Sequence, residues 1–248
     1  MNRATNYLLI DISNSFTKLA FASRTRLGRS TRIETDNLTS AFVRRFLKRR
    51  KIDLLVVASV VPQKNREVRK ATGRNKVLWL NPRLKLGVGI DYPAPQTIGA
   101  DRLANAAAVA ALYGCPAIVV DFGTAVTFDI VSERKNYVGG VIAPGLEAMT
   151  NFLYQRTALL PKLSLKEPRS AIGRSTIEAM RAGTIFGYRG LVREIITRIK
   201  AERFPRRKVH IVSTGGYARL IAANLGETVT VHPNLTLEGL RLVANLNS

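Results

Sequence analysis

Three short segments carry residues able to hold a phosphorylated nucleotide and move a proton. Asp11 closes an apolar run and is followed by the polar turn Ser13-Asn14-Ser15; Asp121 stands the same way before Gly123-Thr124. Small residues let backbone N–H groups approach phosphate oxygens, and carboxylates hold cations or their waters. Thr124 can add a hydroxyl donor. Asp-x-Gly-Thr alone is a common pattern, but its pairing with an earlier copy and with Ser213-Thr214-Gly215-Gly216 is more specific. Gly215 and Gly216 would let a flat adenine pack against backbone, the alternative being a plain strand-to-helix turn. The third segment is Gly99-Ala100-Asp101-Arg102. An Asp near a helix start often serves as an N-terminal cap. The Arg that follows is not favoured at that end of a helix, so the pair also reads as an acid that orients a hydroxyl and a base that clamps an acidic substrate.

These residues need strands to present them. Residues 7–12 read as a buried strand and 16–22 as its alternating partner. Ala117-Ile-Val-Val-Asp-Phe-Gly-Thr-Ala-Val-Thr-Phe-Asp-Ile aligns with residues 7–20 without gaps, each copy delivering an Asp to a small-residue turn. Burying a carboxylate is costly without a partner, so the repeat implies two duplicated lobes, 1–114 and 115–248, with a cleft between them. Around them, apolar positions Leu38, Ala41, Phe42, Phe46 and Leu47 predict a helix over 38–51 with a basic outer face. A strand from Asp53 stops at Pro62, a basic helix follows, and the next strand, 77–80, places Trp79 in the core. Residues 81–98 read as a long loop and 102–113 as an Ala-rich helix. The strand 209–214 runs through the Gly-Gly turn into a helix over 217–225. A last helix, 237–246, is capped by Thr236.

Composition narrows the class. With 46% hydrophobic and 23% charged residues over 248 positions, the chain can bury one large core or two small ones. No run of about 18 apolar residues occurs, so no membrane span is expected, and the apolar stretch near the amino terminus is too short for a signal-peptide core. The single cysteine, Cys115, excludes an internal disulfide and reads as a small buried filler in a reducing compartment. His210 and His232 lack cysteine partners, so no zinc site is expected. Lys and Arg number 39 against 17 Asp and Glu, a net charge of +22. The excess clusters at Arg24, Arg26, Arg29 and Arg32, at Arg44, Arg45, Lys48, Arg49, Arg50 and Lys51, and at Arg203, Arg206, Arg207 and Lys208. Such surfaces attract nucleic acid, nucleotides and acidic metabolites alike, and without a groove-reading motif they read as solvated faces. No specific nucleic-acid partner is expected.

Nine segments in order now carry a resemblance: Asp11-x-x-Asn14-Ser15, Ala58-Ser-Val-Val-Pro62, Asp91-Tyr92, Gly99-Ala-Asp-Arg102, Asp121-Phe-Gly-Thr-Ala125, Gly139-Gly-Val-Ile-Ala-Pro-Gly145, Ile172-Gly-Arg-Ser-Thr176, Ser213-Thr-Gly-Gly216 and Leu235-Thr-Leu-Glu-Gly-Leu240. Together, from about residue 7 to 246, the chain resembles the type III pantothenate kinases. The resemblance implies an α/β, duplicated two-lobed actin-like ATPase fold of the ribonuclease H-like type, with mixed sheets flanked by helices. It implies cytoplasmic ATP-dependent phosphorylation of pantothenate on the route to coenzyme A, by a homodimer using Mg2+ and a monovalent cation, K+ or NH4+. By position, Asp11, Ile12, Ser13, Asn14, Ser15, Phe16, Thr17 and Lys18 would line the ATP phosphates, with Thr124 opposite. Asp101 would be the general base, and Tyr92, Gly99, Ala100, Arg102 and Thr176 would hold pantothenate, Arg102 at its carboxylate. Asp121 would bind the monovalent cation. Two positions depart from the family pattern. Ser13 replaces the usual Gly, where a Cβ is expected to crowd the nucleotide or strain the turn. Ser175 stands where Asn is frequent. The alternative to an enzyme is a regulatory or nucleic-acid-binding protein that has kept the kinase fold.

Overall fold

A computed structural model describes residues 6–48, 51–73 and 76–248. Arg49 and Arg50, part of the densest basic group, lie outside the described residues. In chain order the elements are β1 (Tyr7–Ile12), β2 (Phe16–Ala22), β3 (Thr31–Glu34), α1 (Ser40–Leu47), β4 (Leu54–Ser59), α2 (Pro62–Thr72), β5 (Val77–Trp79), β6 (Gly89–Ile90) and α3 (Ala100–Leu112). They continue as β7 (Ala117–Phe122), β8 (Ala125–Val131), β9 (Asn136–Pro144), α4 (Leu146–Arg156), α5 (Thr176–Arg203), β10 (His210–Gly215), α6 (Ala218–Ala222), β11 (Val229–Val231) and α7 (Leu235–Asn247). The chain divides into two compact units: Met1–Gly114 with Arg134–Val138 and Asn234–Ser248, and Cys115–Glu133 with Gly139–Pro233.

The first unit is built on a sheet of order β3-β2-β1-β4-β5. β1 runs antiparallel to β2 and parallel to β4, and all six of its residues are buried. A strand covered on both faces must be apolar throughout, which is why 7–10 read as a continuous run. On one face Leu8, Ile10, Ile12, Leu19, Leu55 and Val57 pack with Val43 and Phe46 of α1 and Val68 of α2. Trp79 is partly buried against that cluster, with the Arg69 guanidinium 4.9 Å from its ring centroid. α1 starts at a Thr39 cap, whose hydroxyl accepts from the Phe42 N–H. α3 and α7 pack together and cover the other face.

The sequence division placed 234–248 in the second lobe, but α7 belongs to the first unit. Its cap also differs from expectation. Asn234 precedes the helix, whereas Thr236 lies inside it, buried, with its hydroxyl donating to Asn105 Oδ1 at 2.9 Å. Arg241 of α7 donates to the Arg24 carbonyl, so part of the basic excess holds the fold together.

In the second unit the sheet runs β11-β10-β7-β8-β9. β7 is antiparallel to β8 and parallel to β10. The helix α5 spans 28 residues that carry no clear apolar stripe in the sequence. Residues 134–138, at the start of β9, group with the first unit, where Asn136 and Tyr137 pair with Gly89 and Ile90 of β6. The expected loop 81–98 therefore contains a short strand. Cys115 forms no disulfide and has intermediate exposure, so it is not a fully buried filler. Among the described residues no helix is long and apolar enough to cross a membrane.

Candidate active site

The site residues of the first unit sit mainly on two segments, the β1–β2 turn and the start of α3. β1 delivers Asp11, 5% exposed, to a turn in which the Ser13 N–H donates to the Phe16 carbonyl at 3.2 Å. The Ser13 hydroxyl donates to Asp11 Oδ1 at 3.3 Å, and Thr35 donates its hydroxyl to the Ser13 carbonyl at 2.6 Å. Thr35 and the buried Thr17 share a further hydrogen bond of 3.0 Å. Asn14 and Ser15 are exposed at the tip. Lys18 faces Asp11 across the hairpin, and Arg32 of β3 faces Lys18, so one row runs from anion to two cations. Ser13 is not in the left-handed region. The strain expected of a Cβ at this position is therefore absent: Ser13 closes the turn with its backbone N–H and its hydroxyl and needs no positive φ.

Gly99 caps α3 without a side-chain bond, and Asp101 follows in the first turn. The Asp101 Oδ1 accepts from the Arg102 backbone N–H at 2.8 Å, so the carboxylate also serves the helix start as a capping acid would. A Cβ at Gly99 would lie 2.5 Å from that oxygen, which explains the glycine. Asp101 and Arg102 are both half-buried. The Arg102 guanidinium lies 5.7 Å from the centroid of the Tyr137 ring, and Tyr92 meets that ring edge-on at 6.1 Å and 71°. Tyr137, wholly buried, was missed by sequence reasoning. It precedes Gly139-Gly140 by too little to look separate from that motif, and its partners are more than thirty residues away.

In the second unit β7 brings half-buried Asp121 to the turn Gly123-Thr124, both exposed. The Gly123 N–H donates to the Ala125 carbonyl at 3.0 Å. Two neighbouring segments reach this turn through backbone: the Gly145 N–H donates to the Thr124 carbonyl at 3.1 Å, and the Gly216 N–H to the Phe122 carbonyl at 3.1 Å. Gly215 has φ +93, and a Cβ there would come 2.4 Å from the Phe122 carbonyl oxygen. That glycine answers first to its own sheet; Gly216, with open space at its Cα, is the one that leaves room for a flat ring. Behind the turn Tyr188 packs 6.4 Å from the Phe122 ring and donates to the Pro144 carbonyl at 3.2 Å. Burial pushes its phenol pKa well up, so it remains a donor. Tyr217 donates to Glu147 at the start of α4.

Buried Arg189 of α5 donates to the Leu220 and Ile221 carbonyls at the end of α6 and grips Glu167 with both nitrogens, at 2.8 and 2.6 Å. That hydrogen bonding, above all, holds the Glu167 carboxyl below its usual range. Thr176 is exposed at the first residue of α5, whose cap is Ser175: its hydroxyl accepts from the Glu178 N–H at 3.3 Å. Asn caps equally well, which accounts for the exchange at this position.

Oxygen-ligated cations fit the second turn. Asp121 is in register with Thr214 on the neighbouring parallel strand, and the Thr214 hydroxyl is buried without a hydrogen-bond partner among the described residues. A carboxylate and an unsatisfied hydroxyl are suitable donors for a hard cation.

The two β-sheet units, each with an Asp-bearing hairpin, define a fold class shared with sugar kinases of solved structure. The solved structure of an Arthrobacter polyphosphate/ATP-glucomannokinase superimposes with a TM-score of 0.52 at 16% identity, over 98% of this chain and all of that one. Within that class, a family profile described as type III pantothenate kinase matches residues 7–198. Type III pantothenate kinases of Akkermansia muciniphila and Methylacidiphilum infernorum are 46% and 42% identical, over 97% and 96% of this chain and 99% and 88% of theirs. The chain belongs to the type III pantothenate kinase family.

Proposed function

We propose that this protein transfers the γ-phosphoryl group of ATP to the primary hydroxyl of pantothenate, the first step towards coenzyme A. The observation that carries the reading is the start of α3, where Asp101 accepts from the Arg102 N–H while the Arg102 guanidinium and Tyr92 both meet the Tyr137 ring. Asp101 accepts the hydroxyl proton as the oxygen attacks the γ-phosphorus and ADP leaves. Arg102 pairs with the substrate carboxylate, Tyr92, Gly99 and Ala100 line the pocket with it, and Thr176 is assigned to the substrate by the family pattern alone. Residues 11–18 and Thr124 bind the phosphates, with Mg2+ neutralising their charge when bound, and Gly215 and Gly216 flank the adenosine. Asp121, with Thr214 beside it, holds K+ or NH4+.

The protein acts as a cytoplasmic homodimer in this reading. Support comes from α4 and α5, which leave Met149 and Phe152 exposed on an apolar cavity of about 630 Å3 that Ala148, Met180 and Gly183 also line. An apolar patch of that kind marks an association surface. The deciding experiment measures ADP release with and without pantothenate. Pantothenate-dependent turnover supports the proposal; ATP hydrolysis indifferent to pantothenate, or none, sinks it.

A further inference from the structure

We infer that Tyr137 is a positioning residue for the acidic end of the substrate: its buried ring fixes both Arg102 and Tyr92, and so sets how a carboxylate is recognised beside Asp101. The inference rests on the pantothenate reading above. Arg102 has reason to need a fixed support. It lies in the first turn of a helix, where the dipole disfavours a cation, and its long side chain loses rotamer freedom when held still. Its backbone is engaged by Asp101 at 2.8 Å, while its guanidinium extends to the Tyr137 ring at 5.7 Å. That distance lies within the range of a cation–π contact. An aromatic support engages the face of a guanidinium and leaves edge N–H groups to pair with a planar carboxylate.

The same ring receives Tyr92. Tyr137 is wholly buried and Tyr92 is 37% exposed, so the fixed partner is Tyr137. Backbone pairing holds the two chains in register: Ile90 opposes Tyr137, and the Asp91 N–H donates to the Tyr137 carbonyl at 2.9 Å. One buried side chain thus meets the two candidate substrate residues that the sequence separates by ten positions. The acid and the base of Gly-Ala-Asp-Arg are thereby divided in function, Asp101 tied to the helix start and Arg102 to the sheet.

The test compares wild type with Tyr137→Leu and Tyr137→Phe, each also in an Arg102→Ala background, using pantothenate and its alcohol analogue pantothenol. Tyr137→Leu is expected to raise KM for pantothenate about tenfold, with kcat and KM for ATP within about threefold of wild type. Tyr137→Phe, which keeps the ring, should stay within about threefold throughout. The Leu penalty should fall below about twofold with pantothenol and in the Arg102→Ala background, because it acts through Arg102 and the carboxylate. An unchanged pantothenate KM, an equal penalty in the Arg102→Ala background, or a matching loss in ATP KM overturns the inference. Should Tyr137→Leu not fold, Tyr137→Met takes its place on the same terms. Wild type that ignores pantothenate sinks the substrate reading and the inference together; wild-type turnover with an unmoved Leu variant sinks the inference alone.

Discussion

The two Asp-bearing hairpins look like copies, yet they are braced in different ways. In the first, Asp11 opposes Lys18 and the closing pair is Ile12 with Thr17; in the second, Asp121 opposes Thr127 and the closing pair is Phe122 with Val126. The first turn is thus one residue longer, and the gap-free alignment holds only as far as the turn. A one-residue shift moves every following side chain to the other face of its sheet, so the returning strands are not equivalent position by position. The neighbours differ too. The first turn is held by the Thr35 and Ser13 hydroxyls and by the Thr35 N–H on the Ser15 carbonyl at 3.0 Å, the second by backbone N–H groups of Gly145 and Gly216. Thr35 reaches the first turn with its side chain as well as its N–H, whereas a Cβ on Gly145 would clash with the Thr124 carbonyl, so glycine stands beside the second turn.

The largest effect is expected outside both hairpins, and it calibrates them. Asp101→Asn should lower kcat by roughly 10²–10⁴-fold with little change in ATP binding. Near-wild-type kcat would remove Asp101 from proton transfer. Next, the carboxylates of the two hairpins should separate by ion. Asp121→Ala is expected to lose the advantage of potassium or ammonium over sodium, worth about tenfold or more in rate for wild type, whereas Asp11→Asn should retain that advantage at a lower rate. Rates of wild type that are equal in all three salts would sink the assignment.

Smaller effects concern the bracing. Thr35→Val leaves the Ser13 carbonyl without its donor, costing about 1–2 kcal/mol of stability, readable by urea denaturation, with a rise in KM for ATP. If Thr35→Val is as stable as wild type, the hydroxyl network does not brace this turn. The smallest effect belongs to Ser13→Gly. With no left-handed backbone to relieve and only a 3.3 Å hydrogen bond to lose, KM for ATP should move by less than about threefold. A fall of tenfold would show that the Cβ crowds the phosphates after all.

The sequence by itself determined the strands that deliver Asp11 and Asp121, because a strand buried on both faces must be an apolar run and a carboxylate at its end stands out. It also determined the site motifs, since chemistry restricts residue type at short spacing: Gly-Ala-Asp-Arg and Ser-Thr-Gly-Gly are local signals. Three things only the tertiary structure decided. The last helix joined the first unit because packing against α3 is a long-range contact that its amphipathic pattern leaves open. Tyr137 became part of the candidate site because a parallel pairing across more than forty residues placed it under Tyr92. The slip between the hairpins arose because turn length depends on which neighbours supply hydrogen bonds, and those neighbours, Thr35 in one case and Gly145 and Gly216 in the other, lie elsewhere in the chain. Local patterns specify what a segment buries; which segment it meets is settled only when the chain closes on itself.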